Sequence, residues 1–437
     1  MSDKTTRQGP NMSRRSALTT AMAAAGASTL APRTFAATPA GGTIMQQVLD
    51  EAYWAQVASH YDVTREIIQL ENGNWGMMAR PVLDAYKVHI DRVNRDNSYY
   101  ARRGMGADLE KSRDAVADFL KVDPDEILFT RNATEALKAL IGNYNRIKPG
   151  ETALYADLDY DSMQESLVSS MAKRGAKVTK IALPEPASHD NVLAAYREAF
   201  DADPTIRLVL LTHISHRTGL MIPVREIVAM ARERGIDAIV DAAHSLGQAN
   251  FTLPDLDADF VGINLHKWIG APLGVGIMYI RRSRLPAIDH DIAEAPRNPD
   301  SIETRLHTGT VDFATQLTVP QALAFQASIG GPLREARLRA LRDRWVARAR
   351  KLASMEVMTP DDPRMHVGIT SFRVRGKTSV EDNKALAATL LKRFGIFSVH
   401  RTDLASGACV RITPALFNSF ADVDSLATAL ETLDREA

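Results

Sequence analysis

Residues 240–270 read VDAAHSLGQANFTLPDLDADFVGINLHKWIG, and this stretch decides the fold. Its two apolar runs, one ending at Asp241 and the other just before His266-Lys267, lack polar alternation and read as neighbouring strands buried on both faces. Outward from them, strands and helices alternate. "DEILFT" at 125–130 runs into the helical "TEALKALIGNYNRI", "GETALYAD" is a strand followed by the amphipathic "SMQESLVSSMAKRG", and "AKVTKIAL" and "IRLVLLTH" are strands before the helix "VREIVAMARERG". Such alternation predicts an α/β fold with a mainly parallel sheet covered on both faces. Near residue 316 the rhythm changes to long charged helices and then to the separate strands "GITSFRV", "IFSVHRT" and "CVRITP". The expected organisation is an N-terminal arm at 37–75 packed on a smaller domain, a large domain at 76–315 and a smaller α+β domain at 316–437.

The chain has 437 residues, 45% of them hydrophobic, which is enough to build a large core. Formal charge is zero, so the basic footprint of a nucleic-acid binder is missing. A single cysteine excludes an intrachain disulfide framework and a cysteine-based zinc site, and no metal site is expected. The segment "NMSRRSALTTAMAAAGASTLAPRTFAATPA" combines a basic start, an apolar run from Ala17 to Leu30 and small residues around Ala36 and Ala37, the pattern of a cleaved export signal over 1–36. Its Arg14-Arg15 pair resembles a twin-arginine signal, although Ala17 stands where phenylalanine is usual. Periplasmic export through the twin-arginine machinery is the expectation. No stable membrane span follows, since the apolar run is too short.

In such a sheet the ligand lies outside the carboxyl ends of the strands, where Asp241, His244, His266 and Lys267 face one crevice. A lysine opposite a carboxylate suits pyridoxal 5'-phosphate: the lysine forms the Schiff base and the carboxylate keeps the pyridine nitrogen protonated. A salt bridge capping the sheet is the plainer alternative. A phosphate needs donors, and the turn Asn132-Ala133-Thr134 opens a helix whose free N–H groups can supply them, unless it serves only as a cap.

Six segments, "NATEAL", "THISHRTG", "VDAAHSLG", "INLHKW", "HTGT" and "RITPALFNSFADVD", occur in the order seen in the class V aminotransferase family. From about residue 65 onward the chain resembles that family of fold type I pyridoxal-phosphate enzymes, and within it the isopenicillin N epimerase-like branch. The resemblance implies a seven-stranded-type sheet and assigns roles residue by residue. Lys267 is the cofactor lysine and proton carrier, Asp241 pairs with the pyridine nitrogen, and His244 lies beside the ring. Ala133 and Thr134 hold the phosphate with His266 nearby, and Thr310 reaches the phosphate in a neighbouring subunit, which implies a homodimer with shared sites. Tyr160 is expected to stack on the ring, or else to be a half-buried core tyrosine. Arg411 is expected to grip a substrate carboxylate.

Asn74 of "ENGNWG" and Arg102-Arg103 of "YYARRGMG" are further candidates for substrate contact, with a structural turn or ion pair as the alternative. Epimerisation requires a second proton carrier besides Lys267, for which Tyr160 and His213 are candidates, with a hydrogen-bonded strand-end histidine as the favoured alternative for His213; transamination requires only one. Cys409 lies two residues before Arg411, not on a loop upstream of it, so cysteine desulfurase activity is not expected. The expected substrate is an amino acid or an amino-acid-bearing metabolite acted on at Cα. Decarboxylation or other modification of a peptidic siderophore or envelope intermediate, and a catalytically silent scaffold, are the alternatives.

Overall fold

The computed structural model describes residues 42–294 and 298–436; the expected export signal lies outside them. The described chain begins with two short helices, Ile44–Leu49 and Glu51–Ala58, passes through a short strand, β1 (Ile68–Gln69), and continues into two helices, Arg80–Arg103 and Met105–Leu120, where the sequence reading assigned no element. The first of these is strongly polar and buries only Val82, Ala85 and Tyr100, so it offers no broad apolar stripe to recognise.

The main sheet follows: β2 (Ile127–Thr130), β3 (Thr152–Ala156), β4 (Lys177–Ile181), β5 (Ile206–Thr212), β6 (Asp237–Asp241), β7 (Phe260–Asn264) and β8 (Gly276–Ile280). Their spatial order is β2-β8-β7-β6-β5-β3-β4. The five strands from β4 to β7 run parallel, while β8 lies antiparallel between β7 and β2. Every residue of β7 and β8 is buried, as strands covered on both faces must be. On one face Leu137, Leu140, Met163 and Leu167 of two helices pack against Leu208, Ile239, Phe260 and Met278. Burying such side chains stabilises by roughly 1.5–3 kcal/mol each relative to exposure. Helix Ala133–Asn143 stops about one turn before the sequence pattern does, because Tyr144 turns inward in an extended conformation and donates its hydroxyl to Asp237 Oδ2 at 2.8 Å.

Beyond residue 312, helices Phe313–Ile329 and Gly331–Ala349 lead to an antiparallel sheet of β9 (Met355–Val357), β10 (Thr370–Val374), β12 (Val399–Arg401) and β13 (Cys409–Ile412), in the order β12-β13-β10-β9. Leu341, Trp345, Phe372, Leu390, Val410 and Leu426 form its core. The N-terminal segment joins this part of the molecule: β1 pairs in parallel with β11 (Ile396–Phe397), and Glu71 bridges to Thr413. Thus residues 68–71 lie beside the end of β13, and Gly73, Asn74 and Trp75 line the cleft of the main sheet. No helix among the described residues is long and apolar enough to cross a membrane.

Candidate active site

The carboxyl ends of β2, β3, β5, β6 and β7 open onto a cleft of about 430 Å³. Asp241, the last residue of β6, is buried there; Oδ1 accepts from the Ala243 N–H at 2.9 Å, and Oδ2 has no hydrogen bond among the described residues. Burial raises its carboxyl above the ordinary range, opposed by the Ala243 N–H and by the charge of Lys267. His244 follows within a turn, and its Nε2 stands 2.8 Å from Lys267 Nζ. Desolvation, reinforced by Lys267, keeps this imidazole neutral. His266 turns the other way, with Nδ1 3.0 Å from the Val275 carbonyl, which fixes that nitrogen as the donor.

Lys267 is half-buried, and its amine is lowered to about 7, first by desolvation and then by Arg411 and Arg401, against the opposing pull of Asp241 and Glu71. Lysine and Asp241 share the cleft yet make no ion pair with each other among the described residues. That speaks against a salt bridge capping the sheet, and both groups line the open cleft. The segment 72–76 closes over the lysine, with the Gly76 N–H donating to the His266 carbonyl at 2.8 Å. A Cβ at Gly76 would stand 1.7 Å from the Lys267 carbonyl oxygen, so only glycine allows this approach.

At the helix Ala133–Asn143 the expected donors are divided. Asn132 caps the helix by accepting from the Glu135 N–H at 2.9 Å, and the Ala133 N–H is committed to Asn264 Oδ1 at 2.8 Å. The expectation that Ala133 donates to a phosphate is therefore corrected. Thr134 lines the cleft, and neither its N–H nor its hydroxyl has a partner among the described residues. Tyr160, at the N-terminus of helix Asp161–Lys173, lines the cleft with its ring 5.2 Å from that of His216, edge to face.

A second correction concerns the histidines of "THISHRTG". His213 is buried outside the cleft against Phe251, and burial holds it down at about 4. It is His216, three residues on, that lines the site. The chain leaves β5 at Thr212 and turns, so the strand-end histidine faces the core and the loop histidine faces the ligand. Asn74 and Arg411 line the cleft, as does Arg401, to which the sequence reading gave no role. Arg102 and Arg103 are exposed at the end of their helix and do not line it; Thr310 is exposed and likewise does not line the cleft of its own chain.

The aminotransferase class-V family profile matches residues 79–426, which include Tyr160, Asp241, Lys267 and Arg411. The chain belongs to that family. Among curated class-V relatives it is 27% identical to the isopenicillin N epimerase of Streptomyces clavuligerus over 409 residues, covering 88% of this chain and 99% of that protein. A putative L-cysteine desulfhydrase 1 of Oryza sativa subsp. japonica is 31% identical over 282 residues, 59% of this chain and 57% of that one. Among solved structures, a cysteine desulfurase from Thermococcus onnurineus NA1 superposes with a TM-score of 0.74 at 21% identity, covering 87% of this chain and 98% of the other, which shows the shared fold.

Pyridoxal phosphate is the cofactor of this class-V site, and the residues present fit it. Lys267 would carry the cofactor, Asp241, with Oδ2 unpartnered, would pair with its pyridine nitrogen, and the open Thr134 donors at a positive helix end would hold its phosphate. No cluster of His, Cys, Asp or Glu among the described residues could hold a metal ion.

Proposed function

We propose that this protein moves a proton at Cα of an amino acid or an amino-acid-bearing metabolite, as an epimerase-like or transaminase-like enzyme. The observation that carries the reading is a half-buried lysine poised near neutrality that lines one cleft with a buried carboxylate and a buried arginine. When bound, pyridoxal phosphate supplies an electron sink for the carbanion left at Cα. Lys267 takes and returns the proton at Cα, and near pH 7 it can do both because its amine is balanced between its two forms. His244 at 2.8 Å fixes the position of the amine. Arg411 orients the substrate carboxylate, which sets the bond to be broken relative to the ring.

Full-length similarity to isopenicillin N epimerases favours the epimerase-like branch. Inversion needs a second proton carrier, and Tyr160 and His216 meet ring to ring in the cleft to provide one. His216 is kept neutral by burial and by Arg411, Arg401 and Lys267, as a base must be.

Sulfur transfer through a protein thiol is disfavoured. Cys409 is the sole cysteine of the chain; it is buried in β13 outside the cleft, and burial pushes its thiol up to about 11. The loop before it is tied down: Arg217 donates to the Asp403 carbonyl at 2.6 Å, the Ala405 N–H to Asp157 Oδ2 at 3.3 Å, and Ser406 Oγ to Glu185 Oε2 at 2.7 Å. Accordingly, Cys409→Ala is expected to keep more than about half of the turnover of the parent enzyme, as for a small buried hydrophobe, measured by steady-state kinetics. A cysteine C–S lyase remains the second reading, favoured by the 31% identity to a desulfhydrase; it begins with the same Cα deprotonation and needs no thiol.

The test is to incubate holoenzyme with a panel of amino acids and short peptides in deuterium oxide. Exchange at Cα is followed by NMR, together with enantiomer ratio, keto acid and sulfide. Exchange with racemisation supports the epimerase, keto acid the transaminase and sulfide the lyase. A cofactor-loaded protein that exchanges none of the panel overturns the reading in favour of a silent scaffold.

A further inference from the structure

Arg411 does not stand free in the cleft. Its Nη2 donates to Glu71 Oε1 at 2.5 Å and its Nη1 to the His216 carbonyl at 2.6 Å. Glu71 is buried as well, and its other oxygen accepts from Thr413 Oγ1 at 3.3 Å. The chain passes so close that a Cβ at Gly73 would stand 2.6 Å from Arg411 Nη2, so glycine is what lets the segment carrying Glu71 lie against the guanidinium. Arg401 Nη2 is 3.9 Å from the same Glu71 oxygen, and the Arg401 side chain makes no hydrogen bond among the described residues. One carboxylate thus faces two arginines. It does so from behind, because both arginines line the cleft and Glu71 does not.

We propose that Glu71 is the positioning residue of the carboxylate site: it clamps Arg411 and offsets one of the two arginine charges, leaving the pocket matched to a single substrate carboxylate. This rests on the proposed reading of Arg411 as the substrate grip. The physical reason is that two guanidinium groups beside a lysine, Arg411 buried and Arg401 half-buried, repel its proton. One fixed negative charge leaves a residual single positive charge, which one incoming carboxylate completes. A substrate with a lone α-carboxylate fits that balance. One with two acidic groups at this end does not.

The charges that bear on Lys267 come from every side. Asp241 on β6 and Glu71 on the N-terminal segment hold the proton on, whereas Arg411 on β13 and Arg401 on β12 drive it off. His244, His216 and His266 line the same cleft as neutral rings, each depressed by burial and by Lys267 itself. Removing the charge of Glu71 takes away one of the two carboxylates that chiefly hold the proton on. A charge several ångströms away in a partly screened interior moves a titration by on the order of one pH unit.

The experiment is a pH titration, without substrate, of the absorbance of the cofactor attached to Lys267 in wild type, Glu71→Gln and Glu71→Asp holoenzymes. The expected result is a midpoint lowered by on the order of one unit in Glu71→Gln. Glu71→Asp keeps its charge but withdraws it by one methylene, and shifts the midpoint the same way by less. An unmoved midpoint in Glu71→Gln overturns the proposal, because a purely structural spacer would leave the titration alone. Should Glu71→Gln not fold, Glu71→Asp decides, and no shift there has the same meaning. A wild type without this absorbance overturns the cofactor reading and the proposal together, an outcome distinct from a normal wild type with unmoved variants.

Discussion

Lys267→Ala is expected to reduce turnover by at least about 10³-fold while leaving the fold and non-covalent cofactor binding in place, since it removes both the attachment point and the proton carrier. Nothing nearby can take over the attachment, because neither the His244 imidazole at 2.8 Å nor a guanidinium forms a Schiff base. The measurement is absorbance before and after borohydride, with mass spectrometry of the reduced protein. The wild type should carry a reduced adduct on Lys267 and the variant none. An adduct on another lysine in the wild type would show the assignment to be wrong. The cofactor-free proteins give a second observable. The folded-state value of about 7 lies below the ordinary 10.5, so between those values the unfolded chain binds more protons and stability rises with pH. The cost of burying Lys267 is therefore complete below about pH 7 and fades as pH climbs towards 10.5. Cofactor-free Lys267→Ala should accordingly melt higher than cofactor-free wild type at pH 6, with the gap closing at pH 10.

The legibility of this site in the sequence follows the distance over which each signal acts. Asp241 and Lys267 were readable because each ends an unbroken apolar strand, and strand ends in a parallel sheet converge by topology alone. Thr134 was readable because a cap residue and a helix start are local. The error at His213 came one step beyond locality: whether His213 or His216 enters the cleft depends on how the chain turns after Thr212, and composition does not fix that turn. Ala133 failed for a similar reason, since its N–H is taken by Asn264, 131 residues away.

Arg401 and Glu71 were given no role because nothing in their neighbourhoods marks them. Arg401 sits in a short three-residue strand, and Glu71 in a loop that pairs with Thr413 only through a single bridge. Both acquire meaning from the approach of the N-terminal segment to β13, a contact spanning most of the chain. Arg411 was correctly placed at the cleft, yet its buried partner was not foreseen, and the partner changes what the arginine offers. In the same way the helices at 80–120 went unread because their polar composition hides the few residues they bury.

Asp241→Asn is expected to lower kcat by on the order of 10²–10³-fold with the cofactor still attached to Lys267, the scale found when one preorganised electrostatic partner of a reacting centre is removed. Asparagine keeps the shape and can still accept from the Ala243 N–H, which the aspartate does at 2.9 Å. What it loses is the negative charge on Oδ2, the oxygen left without a protein partner. A neutral amide does not hold a proton on the pyridine nitrogen, so the ring draws electrons from Cα less strongly. The pH profile separates this from general disruption. Burial raises the Asp241 carboxyl above its ordinary value, so wild-type kcat should fall as pH drops through that raised value and the carboxylate takes up a proton. The asparagine variant has no such group, and the acid limb due to Asp241 should be absent from its profile at the lowered rate. Asp241→Glu supplies the control: it restores the charge on a longer arm and should recover part of kcat. A variant that keeps wild-type kcat, or one whose acid limb is unchanged, would show that Asp241 does not face the pyridine nitrogen.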